Sequence, residues 1–244
     1  MAKRPFIRKQ KRRRHGTAFW DQEYTNASNL QLSENESEDL AKFTRWLSRQ
    51  KDALELSKDT QVIDLGCGNG RNLVFLSKNF GTNGLGFDSS SAAIAAARQL
   101  STGLPITYEV RSIADPVPVD SLSKDLALDM MSSHFLNQTE REQLRDEIYR
   151  ILKPGGWLFM KTFLLDGDKH TERLLKEYPG KEANTYIHPV IGVPEHVFSE
   201  SELVEFLSEK FIVHKVYRSH KHISRGKARK RRTVSVYAQK DPYK

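Results

Sequence analysis

Along most of the chain, short apolar runs alternate with stretches of helical period. Residues 61–65, 84–87, 105–110, 126–130 and 157–163 are apolar runs of strand length, bounded by glycine, proline or polar residues. Between them, residues 72–79, 90–100 and 139–152 carry apolar positions at helical spacing. Ser89, Ser90 and Ser91 can cap the second of these helices, and Lys153-Pro154-Gly155-Gly156 stops the third. Upstream, Leu40, Phe43, Trp46 and Leu47 predict an amphipathic helix over 36–56. Downstream, 200–207 reads as a helix, and 211–217 and 233–238 as strands. Strand and helix in regular alternation predict an α/β domain, a doubly wound and mostly parallel sheet with helices on both faces. That domain is expected over 58–240. A helical cap is expected over 17–57, and a disordered basic arm over 1–16, where no apolar periodicity exists.

Composition changes this picture at two places. The chain has 244 residues and a formal charge of +8, from 39 Lys+Arg against 31 Asp+Glu. Eight of the basic residues (Lys3, Arg4, Arg8, Lys9, Lys11, Arg12, Arg13 and Arg14) fall in the first 14 positions with no acid among them. Nine more (Lys215, Arg218, Lys221, Arg225, Lys227, Arg229, Lys230, Arg231 and Arg232) fall between positions 215 and 232, again without an acid. Without these 17 the body is acidic, at about −9. Clusters of this kind suit a polyanion, so RNA or the ribosome is the expected partner of residues 3–14 and the basic loop 218–232. A solubility tail or an address signal remains the alternative. No apolar run approaches the roughly 20 residues of a membrane span. The basic N-terminus has no apolar stretch behind it, so a cytoplasmic, monomeric protein is expected. The one cysteine, Cys67, excludes an intrachain disulfide and a cysteine-built zinc site, and no metal is expected.

The chemistry concentrates after the first strand, in Asp64-Leu65-Gly66-Cys67-Gly68-Asn69-Gly70. Glycines at 66, 68 and 70 let the backbone turn sharply and approach a ligand. The dinucleotide fingerprint would put its third glycine at 71, where Arg71 stands, and no Gly-Lys-Ser/Thr follows for a P-loop. The stretch resembles the first motif of class I S-adenosylmethionine-dependent methyltransferases, Asp-x-Gly-x-Gly-x-Gly. Asp88 ends the second strand, where that family's acid accepts from both ribose hydroxyls. Ser112-Ile113 follows the third strand, where the family contacts adenine. Asp115 is a neighbouring alternative, since many members carry an acid there. The fourth strand, ending Asp129-Met130, and the turn at Lys153–Gly156 also match. The resemblance spans about 58–165, with a weaker match in the terminal strands. It implies a seven-stranded sheet with an antiparallel last strand, S-adenosyl-L-methionine as cofactor, and a cofactor set of Asp64, Gly66, Gly68, Gly70, Asp88, Ser112, Ile113, Asp129 and Met130.

Methyl acceptors can be narrowed by what is missing. Cytosine C5 chemistry needs a cysteine nucleophile, and exocyclic amine chemistry usually goes with Asp/Asn-Pro-Pro-Tyr/Phe; here Asp129-Met130-Met131-Ser132 stands instead. Asp129 and Lys161 are similar to two members of the Lys-Asp-Lys-Glu set of ribose 2′-O methyltransferases, in which a lysine takes the hydroxyl proton. A glutamate near Thr233 is missing, and Lys42 is a candidate for the first lysine. Asp129 could equally hold the cofactor amine, and Lys161 could be a strand-end side chain reaching for water. His134 is the third catalytic candidate, a base at neutral pH or a packed ring. Residues 185–197, with Tyr186, His188, Glu195 and His196, are expected to cover the acceptor. Phe19, Trp20, Asp21 and Tyr24 resemble an entry segment folded over the cofactor. Three functions stay open: methylation of RNA, methylation of a small metabolite or oxyanion, and non-catalytic nucleic-acid binding on this scaffold.

Overall fold

Alternation in the strands sorts two apolar layers onto opposite faces of one sheet. The computed structural model describes residues 11–27, 32–51, 54–219, 223–224, 227–228 and 230–243. Helices α1 (Lys11–Thr25) and α2 (Glu38–Leu47) precede β1 (Gln61–Leu65), α3 (Arg71–Phe80), β2 (Asn83–Asp88), α4 (Ser91–Leu100), β3 (Ile106–Val110) and β4 (Lys124–Met130). A 3-10 turn at Ser133–Phe135 leads into α5 (Gln138–Ile151), β5 (Leu152–Phe163) and α6 (Lys169–Glu177). Then come β6 (Thr185–Ile187), β7 (Pro194–His196), α7 (Glu200–Ser208), β8 (Ile212–Arg218), β9 (Ile223–Ser224), β10 (Lys227–Ala228) and β11 (Thr233–Gln239).

The main sheet has seven strands in the order β3-β2-β1-β4-β5-β11-β8. β1 to β5 run parallel, while β11 runs antiparallel to both β5 and β8, as the resemblance implies. Val62, Leu126, Leu128, Trp157, Phe159 and Tyr237 face α2, α3 and α4. Their neighbours Ile63, Ala127, Leu158, Met160 and Val236 face α5 and α7. Both layers are fully buried, as a sheet covered on both faces requires. No helix among the described residues is long and apolar enough to cross a membrane.

Several expectations need correction. The helix expected over 36–56 stops at Leu47, because the apolar period gives way to Ser48-Arg49-Gln50-Lys51. It is part of the domain rather than a separate cap: Leu40, Phe43 and Leu47 are core residues, with Phe43 stacked on Phe159 at 5.1 Å. The arm expected to be disordered to residue 16 is helical from Lys11, and residues 1–10 lie outside the described residues. The turn at 153–156 is drawn into β5, which begins at Leu152. The basic loop contains a two-residue hairpin, β9 with β10, whose remaining residues lie outside the described ones.

Candidate active site

The glycine loop forms one wall of a cavity of about 320 Å³ at the C-terminal ends of β1, β2 and β4. Open α/β sheets place ligands at this edge, where the strand order reverses. Two of the glycines show why no other residue serves. Gly66 (φ +83°) lies in the left-handed region, and a Cβ there would stand 2.8 Å from Ser132 Oγ. Gly68 (φ +55°) is also left-handed, and its Cβ would overlap the Tyr24 hydroxyl.

Asp88 stands at the floor. Its Oδ2 accepts from the Gly68 N–H (2.9 Å) and its Oδ1 from the Ser90 N–H (2.9 Å), so the loop and the start of α4 fix its rotamer. Burial pushes its carboxyl up, while those backbone donors pull the other way. Ser112 and Ile113 also line it, as do Met130, Met131 and Ser132, the last of them beside Gly66. Asp115 is outside the cavity, in a separate groove against α5.

Helix α1 supplies the roof. Trp20 and Tyr24 line the cavity, and Asp21 Oδ1 accepts from Ser90 Oγ (2.7 Å) and the Ala92 N–H (3.2 Å). This places the segment 19–24 over the cavity as expected. The stretch 32–37, which carried no signal in the sequence, completes the wall through Leu32 and Ser33.

Asp64 is buried behind the loop, and neither carboxylate oxygen has a hydrogen-bond partner among the described residues. Burial first, then the charges of Asp88 and Asp129, push it up to about 8, with Arg71 acting in the opposite sense. The folded protein therefore retains a proton that the unfolded chain gives up near pH 4. This stabilisation is complete below that range and is lost as the pH rises through about 8. A cationic ligand in the cavity draws Asp64 toward its ionised form. Binding of S-adenosylmethionine at pH 7 is thus expected to release up to about one proton. Calorimetry in two buffers of different ionisation enthalpy measures it, and a buffer-independent heat would refute it.

The three catalytic candidates do not meet in this cavity. Asp129 sits one position before Met130 and so points to the other face, where its Oδ1 accepts from the Ser133 N–H (3.1 Å) and lies 2.7 Å from Ser132 Oγ. It holds the 3-10 turn rather than lining the cavity. His134 is fully buried between Phe135 and Phe163, and burial lowers it to about 4, far from the range useful to a base at neutral pH. Lys161 Nζ is 2.6 Å from Asp39 Oδ2, a partner the sequence reading did not consider. Lys42 shares the same carboxylate at 3.2 Å.

The segment 185–197 folds as the antiparallel pair β6–β7, packed on the 3-10 turn. Its buried polar residues find partners within the pair and in Arg231 and Glu202. Glu195 accepts from Tyr186 Oη and from Arg231 Nη1 (3.0 Å), and His196 Nε2 is 2.9 Å from Glu202 Oε1. Among the described residues no cluster of three His, Cys, Asp or Glu is placed to hold a metal.

The sheet order and the glycine-lined cavity define a class I, Rossmann-like methyltransferase domain. Residues 62–156 match the model of the methyltransferase domain family. A solved S-adenosylmethionine-dependent methyltransferase from Methanosarcina mazei is 25% identical, superposes with a TM-score of 0.65, and covers 76% of this chain and 94% of its own. An uncharacterised methyltransferase of Synechocystis is 28% identical over 103 residues, 42% of this chain and 47% of that protein. A tRNA U34 carboxymethyltransferase of Idiomarina loihiensis is 23% identical over 131 residues, 53% of this chain and 41% of that protein. The chain spans about half the length of the curated relatives it matches first.

The residues present fit S-adenosyl-L-methionine. A glycine cradle gives close backbone approach, Asp88 at the cavity floor offers acceptor oxygens, and the unpartnered, buried Asp64 carboxyl can ionise toward a cationic nucleoside.

Proposed function

We propose that the chain is an S-adenosylmethionine-dependent methyltransferase whose acceptor is RNA. The observation that supports an RNA acceptor is topological. Since β11 is antiparallel to β5, Thr233 pairs with Phe163, and the Ser219 N–H donates to Thr233 O (2.9 Å). The connection from β8 to β11, with its basic residues, therefore leaves the sheet at the edge that carries the cavity. Lys11, Arg12, Arg13 and Arg14 belong to α1, whose Trp20 and Tyr24 line the same cavity. A tRNA-modifying enzyme among the relatives is in keeping with this reading.

When bound, the cofactor supplies a methyl group already activated by its sulfonium. The chain's part is then to position and to exclude water. Asp88 accepts from the ribose hydroxyls, and the backbone around Gly66 and Gly68 admits the cofactor closely. Ser112 and Ile113 border the adenine side, while Trp20, Tyr24, Phe135 and Leu136 close the cavity against solvent. No described side chain with a free base function faces the cavity, which suits an acceptor that needs little deprotonation.

One observation favours a small acceptor instead. Three cations of the C-terminal cluster are already paired with groups of the fold itself. Arg218 pairs with Glu200 (Nη2 to Oε1, 2.6 Å), Arg231 with Glu195, and Arg232 Nη1 donates to Asp166 O (2.7 Å). Transfer of labelled methyl to a lysate lacking the protein separates the two readings. Label in an RNA band is expected, with RNA affinity falling about 10³–10⁵-fold between 50 and 200 mM salt if about six to ten phosphates are met. Label confined to the small-molecule fraction selects the second reading and reduces the basic clusters to other purposes.

A further inference from the structure

The wall that joins α1 to α2 has no regular structure beyond residue 32, and polar contacts anchor it. Asn69 Nδ2 donates to Ser33 O (3.1 Å), Arg71 Nη1 to Asn35 O (3.1 Å), and the Ser37 N–H to Asn72 Oδ1 (3.2 Å). All three anchors come from the glycine loop and the start of α3. The fourth comes from across the sheet, where Asp39 in the first turn of α2 meets Lys161 near the end of β5.

Lys161 has a second attachment. Its carbonyl accepts the N–H of Met131 (2.8 Å), a cavity residue held at φ +63°, which a non-glycine residue adopts at a cost. Backbone and side chain of one residue thus tie together the Met131 wall and the 32–39 wall. The ammonium itself does not reach the cavity, and 19% of the side chain remains exposed against 16% for Asp39, so water screens the pair only in part.

We propose that Lys161, together with Asp39, is a positioning pair that holds the 32–39 wall against the cofactor, and that Lys161 takes no proton from the acceptor. The proposal rests on reading the cavity as the S-adenosylmethionine site. Both walls line the cavity, so releasing one loosens its lining. A bound cofactor then has to order the wall itself, and its affinity falls by that ordering cost.

The test is calorimetric titration of the full chain with S-adenosylhomocysteine, in wild type, Lys161→Met, Asp39→Asn, the double variant and Lys161→Arg. Each single substitution is expected to weaken binding about tenfold, the double variant no more than either single, and Lys161→Arg to stay within about twofold of wild type. Circular dichroism checks that each variant is folded; should Lys161→Met not fold, the isosteric Asp39→Asn carries the test. Wild-type affinity in Lys161→Met and Asp39→Asn overturns the positioning role. So does independent, additive weakening in the double variant, which marks two unrelated structural losses. If wild type itself does not bind S-adenosylhomocysteine, the cofactor reading fails first and the proposal falls with it.

Discussion

Replacing Asp88 with alanine is expected to weaken S-adenosylhomocysteine binding by about 100-fold or more. Two losses add. A carboxylate that accepts from two ribose hydroxyls makes charge-assisted hydrogen bonds, each worth about 1.5–3 kcal/mol. The same carboxylate accepts from the Gly68 and Ser90 N–H groups, so its removal leaves the glycine loop and the start of α4 without a shared acceptor. Asp88→Asn separates the contributions. It keeps an acceptor oxygen but brings an NH₂ against one backbone donor, and an intermediate loss is expected. Titration calorimetry measures both. An Asp88→Ala protein that binds as tightly as wild type would show that the ribose is held elsewhere.

The central sheet and the cofactor loop could be read from local pattern because each depends on neighbours in sequence. β1 through β4 are apolar runs closed by turn residues, and the loop 64–70 is a contiguous motif on a strand end. The place of Asp88, at the end of β2 beside this loop, was legible for the same reason. What escaped depends on contacts between distant residues. The pairing of Asp39 with Lys161 joins the first turn of α2 to β5, and nothing in either segment alone signals the other. β6, β7 and α6 are short, and several of their buried polar residues find a partner only in other segments, above all in Arg231 from the far end of the chain. Asp129 was misplaced by motif rather than by physics. In a strand whose Leu126, Leu128 and Met130 face the cofactor side, period two already turns Asp129 toward α5.

Arg231→Ala is expected to cost about 3–5 kcal/mol of stability, because it removes the cation set against two buried carboxylates. The Arg231 guanidinium lies 3.0 Å from Glu195 Oε1 and 3.4 Å from Asp168 Oδ2, donates to Tyr186 Oη (2.7 Å) and Thr171 Oγ1 (3.0 Å), and rests 3.9 Å from the centroid of Phe163. Asp168 is fully buried and caps α6 through the His170 N–H (2.9 Å), so the loss reaches α6, the β6–β7 pair and the base of the basic hairpin together. For a chain of this length that corresponds to a fall in melting temperature of roughly 6–20 °C. Arg231→Lys keeps the charge but cannot reproduce the planar fork, and a smaller fall is expected. Substituting Arg229, two positions earlier, tests the opposite role: if the hairpin meets phosphate, Arg229→Ala lowers RNA affinity and its salt slope by about one contact. An Arg231→Ala protein that melts with wild type, yet loses RNA binding, would reverse the assignment and put Arg231 among the nucleic-acid contacts. The expected pattern separates one cluster of like charges into a cation that joins α6 to the β6–β7 pair and cations that remain available to phosphate.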